Sequence, residues 1–169
     1  MIDNNISPFI KWAGGKRQLL PYIKEKMPLK YKNYIEPFIG GGAVLFGITP
    51  DKAIINDINK ALINVYNQIK YNPIELMDFL SKIDIQSDVE PKEYYYKKRE
   101  IFNDKIMKSE YDIELASLFI YLNKHCFNGL YRVNSKGLFN VPFNNSLAKS
   151  FNEDNIKAVS RYLQKVTIL

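Results

Sequence analysis

The fold of this chain is decided by residues 34–44, which read YIEPFIGGGAV. A short apolar run breaks into three consecutive glycines and then continues as a second apolar run that suits a helix. A strand that turns through glycines into a helix forms a loop whose backbone can approach a ligand closely, at the positive end of the helix dipole. The segment therefore predicts a ligand-binding loop between a strand and a helix.

A second apolar run, AIIN at residues 53–56, is followed by Asp57. In a doubly wound sheet, an acid at the end of the second strand binds ribose hydroxyls. The glycines do not match the dinucleotide fingerprint, because Leu45 stands where the third glycine belongs. The pattern therefore favours a nucleoside cofactor other than NAD. The simpler alternative is an ordinary strand–turn–helix unit with a solvated Asp57.

The N-terminal segment KWAGGK, residues 11–16, places the only tryptophan beside a glycine turn and a lysine. An indole ring and a cation at such a turn suit the wall of a ligand pocket. A core tryptophan with a solvated Lys16 is the alternative, and the spacing alone favours neither. A phosphate loop does not fit, because Arg17 replaces the Ser/Thr that binds magnesium and Ile10 replaces the first glycine.

The composition is that of one soluble globular domain. The 169 residues are 46% hydrophobic and 25% charged, and no apolar run approaches the roughly 20 residues that a membrane helix needs. No basic-then-apolar leader is visible, so we expect a cytoplasmic protein. Cys126 and His125 are the only residues of their types, which excludes an internal disulfide and a Cys/His zinc site. The net charge of +6 favours an anionic partner.

The middle of the chain is predicted to be mostly helical. The polar residues 86–90 are the best candidate for a boundary between two lobes. Apolar spacing and capping residues predict helices over 15–27, 59–71, 73–83, 91–107, 112–124 and 152–165, with a strand at 166–169.

Residues 127–143 have a different pattern. Apolar and polar residues alternate there around NSKG at 134–137, which predicts a β-hairpin with a glycine turn. Asparagine, arginine and aromatic side chains on a hairpin can enter a groove of DNA. A hairpin that only caps the helical lobe is the alternative.

Four stretches together resemble one family, the Dam-type adenine-N6 DNA methyltransferases of the D12 class (α-group). Each stretch is unusual, and the four occur in the order found in the family. They are KWAGGK at 11–16, EPFIGGG at 36–42, FNGLYR at 127–132 and FNVPF at 139–143.

The resemblance implies an α/β fold with a Rossmann-like methyltransferase sheet, incomplete in this chain, and a helical target-recognition lobe that carries a β-hairpin. The sheet would bind the cofactor, and the lobe would recognise the target. The implied domains are the N-terminal part of the cofactor-binding core at 1–57, the recognition domain at 58–145 with its hairpin at 127–141, and a return to the core at 146–169.

S-adenosylmethionine is the cofactor that the resemblance implies. Trp12 and Lys16 would line its pocket, and Asp57 would hold its ribose. The loop at 38–42 would pass the methionine part. This agrees with the loop and acid predicted from the residues themselves. The expected cofactor-binding residues are Trp12, Ala13, Gly14, Lys16, Glu36, Phe38, Gly40, Gly42 and Asp57.

The resemblance also implies double-stranded DNA as the partner of a monomeric protein, with GATC as the expected site. Arg132 would read a guanine in the major groove, a contact that suits its bidentate guanidinium. Leu130 or Tyr131 would wedge against the bases beside a flipped adenine. The expected DNA-binding residues are Lys11 at a second base, Asn128 at a phosphate, Leu130, Tyr131, Arg132, Asn140, and Pro142 at a base edge.

No catalytic residue and no metal site are expected among these residues. In the family, an Asp/Asn/Ser-Pro-Pro-Tyr/Phe/Trp motif accepts hydrogen bonds from the adenine amino group and stacks on the base. No two prolines are adjacent in this chain, and the motif would follow a strand such as 166–169. We therefore expect an N-terminal fragment that is inactive alone. The alternatives are a short non-catalytic DNA-binding protein and one half of a split methyltransferase.

Overall fold

The structure, a computed structural model, describes residues 6–169. Within these residues the sheet has three short parallel strands, in which β2 pairs with β1 on one side and with β3 on the other. This confirms the strand predicted at the end of the sequence and the expected α/β fold with an incomplete Rossmann-like sheet. The strands are β1 (Tyr34–Glu36), β2 (Ala53–Ile55) and β3 (Val166–Ile168).

Helices carry most of the remaining described chain, and none of those between residues 6 and 169 is long and apolar enough to cross a membrane. The α-helices are α1 (Leu20–Lys26), α2 (Ala43–Ile48), α3 (Lys60–Tyr71), α4 (Pro73–Ser87), α5 (Pro91–Lys108), α6 (Ile113–His125) and α7 (Glu153–Leu163). Short 3-10 helices cover Arg17–Leu19 and Phe127–Gly129.

Local capping explains why three of the helices begin where the sequence predicts. Asn59, Asp112 and Asn152 each accept a hydrogen bond from the backbone N–H three residues further on, at the starts of α3, α6 and α7. Two helix bounds are wrong. The helix predicted from residue 15 begins only at Leu20, next to a proline in its first turn. The helix predicted to end at residue 83 continues to Ser87, whose buried hydroxyl bonds within the last turn.

The core is centred on α6. Every residue from Leu115 to Asn123 is buried, and α3, α4 and α5 all pack against this helix. A helix that is apolar on all sides is stable only when other elements surround it. The same hydrophobic cluster extends to Ile55 of the sheet, so that the strands and the helices share one core.

The predicted hairpin reverses the chain as expected, but it does not form two continuous strands. Its antiparallel pairing consists of isolated bridges, Val133 with Phe139 and Cys126 with Phe143. Side chains take the places of several ladder partners: Oδ1 of Asn134 accepts the N–H of Leu138 at 3.1 Å. We call residues 127–143 the 127–143 loop.

Candidate functional site

The glycine loop after β1 is shaped by close approaches that only glycine permits. Gly40 has φ of +50°, and a Cβ placed on it would lie 2.7 Å from Cδ1 of Trp12. Gly42 has φ of +74°, and a Cβ there would lie 2.6 Å from the ring of Phe46. Left-handed φ values and these distances exclude larger residues. The loop therefore packs directly against the indole of Trp12.

Asp57, immediately beyond the end of β2, holds this loop in place. Its Oδ2 accepts the N–H of Gly40 at 2.9 Å, and its Oδ1 accepts the N–H of Asn59 at 3.0 Å. The buried hydroxyl of Tyr66 donates to the carbonyl of Gly40 at 2.9 Å. Each oxygen of an ionised carboxylate has two acceptor positions. Asp57 can therefore brace the loop and still accept hydrogen bonds from a ligand.

Glu36, the last residue of β1, is a second carboxylate beside the loop. Burial raises the pKa of its carboxyl, while hydrogen bonds from the Tyr34 hydroxyl and the Leu45 backbone oppose that rise. The Tyr34 hydroxyl donates to Oε2 at 2.7 Å. A half-buried acid of this kind is stabilised by a positively charged or hydrogen-bonding ligand.

The side chain of Trp12 packs against other aromatic rings and also forms part of a cleft wall. Its ring lies nearly parallel to the ring of Tyr131, with centroids 5.5 Å apart, and to that of Phe119 at 6.3 Å. Phe119 and Tyr131 stack on each other at 5.0 Å. Trp12 remains half-buried and also lines a cleft, so the pocket-wall and core-anchor alternatives describe two parts of one side chain.

Two asparagines fix the N-terminal segment that carries Trp12. Asn123 of α6 accepts the N–H of Lys11 and donates to its carbonyl, both at 2.9 Å, and it also donates to the carbonyl of Gly129 at 3.0 Å. Asn155 of α7 makes the same two-way contact with Ser7. Gly129 lies against Lys11, since a Cβ there would lie 2.5 Å from Cδ of Lys11. The segment is thus tied to both helices and to the 127–143 loop.

These parts surround one cleft of about 1270 Å³. The predicted cofactor residues line the cleft, with the exception of Gly42. Gly42 packs against the ring of Phe46 instead. The cleft wall includes the exposed ring of Phe38, and Nζ of Lys16 donates to the carbonyl of Gly14 at 2.6 Å. The predicted residues in the cleft wall are Trp12, Ala13, Gly14, Lys16, Glu36, Phe38, Gly40 and Asp57, with Lys11 beside them.

The other predicted DNA-binding residues lie on the 127–143 loop. Nε of the exposed Arg132 donates to Oδ1 of Asn140 at 2.8 Å. Asn128 is exposed and has φ of +56°, and Pro142 is exposed as well. Leu130 and Tyr131 are half-buried at the base of the loop. The structure thus brings the predicted cofactor residues other than Gly42 together at the cleft, and the predicted DNA-binding residues other than Lys11 together on the adjoining loop.

The chemistry of the cleft suits an organic ligand that carries hydroxyl groups and charged groups of both signs. Aromatic faces, carboxylates, lysine and arginine side chains and loop backbone surround it. Across residues 6–169, no group of three or more His, Cys, Asp or Glu side chains could hold a metal ion.

Comparison with known protein families identifies the family of this chain. A family model described as "D12 class N6 adenine-specific DNA methyltransferase" matches residues 12–169. The chain belongs to this family. The resemblance drawn from the four sequence stretches is therefore confirmed at the level of the family.

Relatives of this D12 class chain are named Type II methyltransferase and DNA adenine methylase. The Type II methyltransferase M1.LlaDCHI of Lactococcus lactis subsp. cremoris is 44% identical over 165 residues, which is 97% of this chain and 57% of that protein. The Type II methyltransferase M.MjaIII of Methanocaldococcus jannaschii is 44% identical over 179 residues, 97% of this chain and 61% of the relative. A DNA adenine methylase of Haemophilus influenzae is 39% identical over 162 residues, 96% of this chain and 55% of the relative. The chain thus spans a little over half the length of these relatives.

The asparagines that fix the N-terminal segment beside the cleft were not predicted from the sequence. Asn123 is a buried polar residue at the end of the apolar run of α6 and is only 3% exposed. A buried amide must find hydrogen-bond partners, so a polar residue at a core position of a helix is a signal for such a contact. The sequence does not reveal which backbone groups it will meet, because Lys11 lies far away along the chain.

Proposed function

We propose that this chain forms the cofactor-binding and DNA-recognition part of a site-specific DNA adenine-N6 methyltransferase, with S-adenosylmethionine as donor and GATC as its site. One observation carries the proposal: Trp12 packs on the glycine loop on one side and stacks on Tyr131 of the 127–143 loop on the other. A ligand cleft and a loop with an exposed arginine are therefore neighbours, in a chain whose family methylates adenine in DNA.

The residues of the cleft fit S-adenosylmethionine. Asp57 keeps acceptor positions for the ribose hydroxyls while it braces Gly40. Trp12 offers an aromatic face, and Glu36 offers a half-buried negative charge to a cationic cofactor. When bound, this cofactor supplies an electrophilic methyl group on a positively charged sulfur. The residues of this chain bind and orient it.

The 127–143 loop and its surroundings fit duplex DNA. Arg132 is exposed and suits a guanine edge, and the exposed Lys11 borders both the loop and the cleft. Asn128 and Pro142 lie on the same loop and are proposed to touch a phosphate and a base edge. Leu130 or Tyr131 is proposed to fill the space beside the flipped adenine. The net charge of +6 favours association with the phosphate backbone.

The domain division predicted from the sequence remains part of this proposal, with cofactor binding in 1–57 and recognition in 58–145. Residues 146–169 return to the core. The catalytic motif of the family is proposed to come from a segment additional to these residues, so that the chain alone transfers no methyl group. Incubation with labelled S-adenosylmethionine and GATC duplex DNA tests this. We expect no labelled DNA from the chain alone, and measurable transfer by the chain would contradict the proposal.

Calorimetric titration with S-adenosylmethionine tests the cofactor site directly. We expect Asp57→Ala to weaken binding about tenfold or more, because hydrogen bonds to a charged group contribute about 1.5–3 kcal/mol. Asp51→Ala is the matched control, since Asp51 is an exposed aspartate before β2, at the opposite end of the strand from Asp57. Absence of binding by the folded chain, or equal affinities of the two variants, would overturn the proposed cofactor site.

A further inference from the structure

We propose that Asn103, on α5, is a positioning residue for DNA recognition. It fixes the segment of the 127–143 loop that carries Asn140, and Asn140 in turn orients the guanidinium of Arg132. The proposal rests on the proposed function, because it concerns how the loop distinguishes one DNA sequence from another. Asn103 lies outside the four stretches that resemble the family.

Asn103 makes a two-way contact with the backbone of Phe139. Its Oδ1 accepts the N–H of Phe139 at 2.8 Å, and its Nδ2 donates to the carbonyl of Phe139 at 3.0 Å. These are the two hydrogen bonds that a neighbouring strand would make with that residue. The side chain of one asparagine therefore replaces a strand at the outer edge of the loop.

A second contact from α5 holds the loop two residues further on. The hydroxyl of the buried Tyr95 donates to the carbonyl of Val141 at 2.9 Å, and Nη1 of Arg99 donates to the same carbonyl at 3.3 Å. Phe139 and Val141 are both buried, whereas Asn140 between them is half-buried. In extended backbone, alternate residues face opposite sides. Anchoring both neighbours thus directs Asn140 away from α5.

Asn140 forms three hydrogen bonds with Arg132. Its Oδ1 accepts from Nε of Arg132 at 2.8 Å, and its carbonyl accepts from Nη2 at 3.3 Å. Its N–H donates to the carbonyl of Arg132 at 3.2 Å. A long, exposed arginine side chain has many conformations in solvent, and these bonds restrict them. The remaining donors of the planar guanidinium are left to a bidentate contact with a base.

This arrangement adds a second role for Asn140. The sequence resemblance placed it among the residues that contact DNA, and its side-chain oxygen here accepts a hydrogen bond from Arg132. Asn140 therefore also orients Arg132. Discrimination at one base position then depends on a residue of α5 that need not touch the DNA.

The test measures binding of the chain to a fluorescent GATC duplex and to three duplexes in which the guanine is replaced by each other base. The affinity for the GATC duplex divided by the affinity for each altered duplex measures the discrimination at that position. We expect Asn103→Ala to lower the ratio at least fivefold, with affinity for a duplex lacking the site unchanged within twofold. Asp104→Ala, an exposed neighbour on the same helix, is the control and should leave the ratio unchanged.

Combination with Arg132→Ala separates positioning from a general loss of structure. If Asn103 acts through Arg132, the variant Asn103→Ala/Arg132→Ala discriminates no worse than Arg132→Ala alone. Asn140→Ala changes the loop without altering its anchors on α5, and it must lower the same ratio even if Asn103→Ala proves unstable. Unchanged discrimination in either folded variant would overturn this inference. A wild-type chain that binds all four duplexes equally would instead contradict the proposed function.

Discussion

Among single residues, two carboxylates of the cleft, Asp57 and Glu36, differ in what surrounds them. Asp57 accepts two backbone N–H groups, so its negative charge is used in holding the loop. Glu36 accepts from Tyr34, but burial outweighs this contact and raises the pKa of its carboxyl. Burial thus disfavours the charged form of Glu36, whereas Asp57 is held by backbone donors, and both features suit the ligand-binding roles proposed above.

Glu36→Gln is expected to stabilise the free protein and to weaken cofactor binding. Because the folded pKa of Glu36 is raised, its contribution to stability is lost as the pH rises through that pKa, and glutamine removes this loss. At pH 8 we expect a gain in the free energy of unfolding, which disappears at pH 4, below the raised pKa of Glu36. Urea denaturation at the two pH values measures it.

The same variant should bind S-adenosylmethionine about five- to thirtyfold more weakly, since a charge-assisted hydrogen bond is replaced by a neutral one. A gain in stability of equal size at pH 4 and pH 8 would show that the carboxylate charge is not the cause.

Among the structural elements, the glycine loop joins β1 to α2 with little freedom. Gly40 donates to Asp57, accepts from Tyr66 and lies under Trp12. Three elements therefore meet at one residue: the N-terminal segment, the end of β2 and α3. Its conformation is set by packing from all sides.

Gly40→Ala is expected to be much more harmful than Gly137→Ala. Both glycines have positive φ, but a Cβ at Gly40 would meet Trp12, whereas nothing lies within 4 Å of a Cβ at Gly137. In Gly137→Ala we expect the free energy of unfolding to fall by about 1 kcal/mol, because alanine is strained at a positive φ. In Gly40→Ala we expect a further loss of roughly 1–3 kcal/mol from overpacking. Thermal denaturation of both variants measures the difference. Equal losses would show that the contact with Trp12 can relax freely.

Helices could be predicted from the sequence where neighbouring residues determine where they begin. Asn59 and Asp112 cap their helices with their own side chains, so the starts of α3 and α6 can be inferred from neighbouring residues. The 127–143 loop was only partly predictable, because distant side chains bond its backbone. Asn103 takes both backbone groups of Phe139, and no alternating pattern within the loop encodes that contact.

Across the whole molecule, Asn123 of α6 connects parts that are far apart in sequence. Its amide bonds Lys11 and Gly129, and the rings of Trp12 and Tyr131 stack beside it. The part of the cleft wall that comes from residues 11–16, residues 36–40 and Asp57 could be predicted from motifs, since motif residues act through their own chemistry. The part that comes from residues 149–161 could not. The links between the cleft and the loop could not, because they depend on how α6 packs.

Asn123→Leu tests this connection. Leucine has the same branched shape and number of heavy atoms but leaves two part-buried backbone groups of Lys11 and the buried carbonyl of Gly129 without partners, which we expect to cost about 3 kcal/mol or more in the free energy of unfolding. S-adenosylmethionine and DNA should both bind more weakly at temperatures where the variant is folded. Asn33→Leu, at an exposed position, should change stability by no more than about 0.5 kcal/mol. A loss of only one of the two binding activities would contradict the expected connection.

The close approach of Gly129 to Lys11 bears on how specificity can be changed. A Cβ on Gly129 would lie 2.5 Å from the Lys11 side chain, so the start of the loop is fitted to the residue at position 11. A loop transplanted from a relative with another residue at position 11 would meet a surface shaped for a different side chain. Residues 11–12 should therefore be transferred together with residues 127–143 when chimaeras are built. We expect the two stretches to vary together among related proteins.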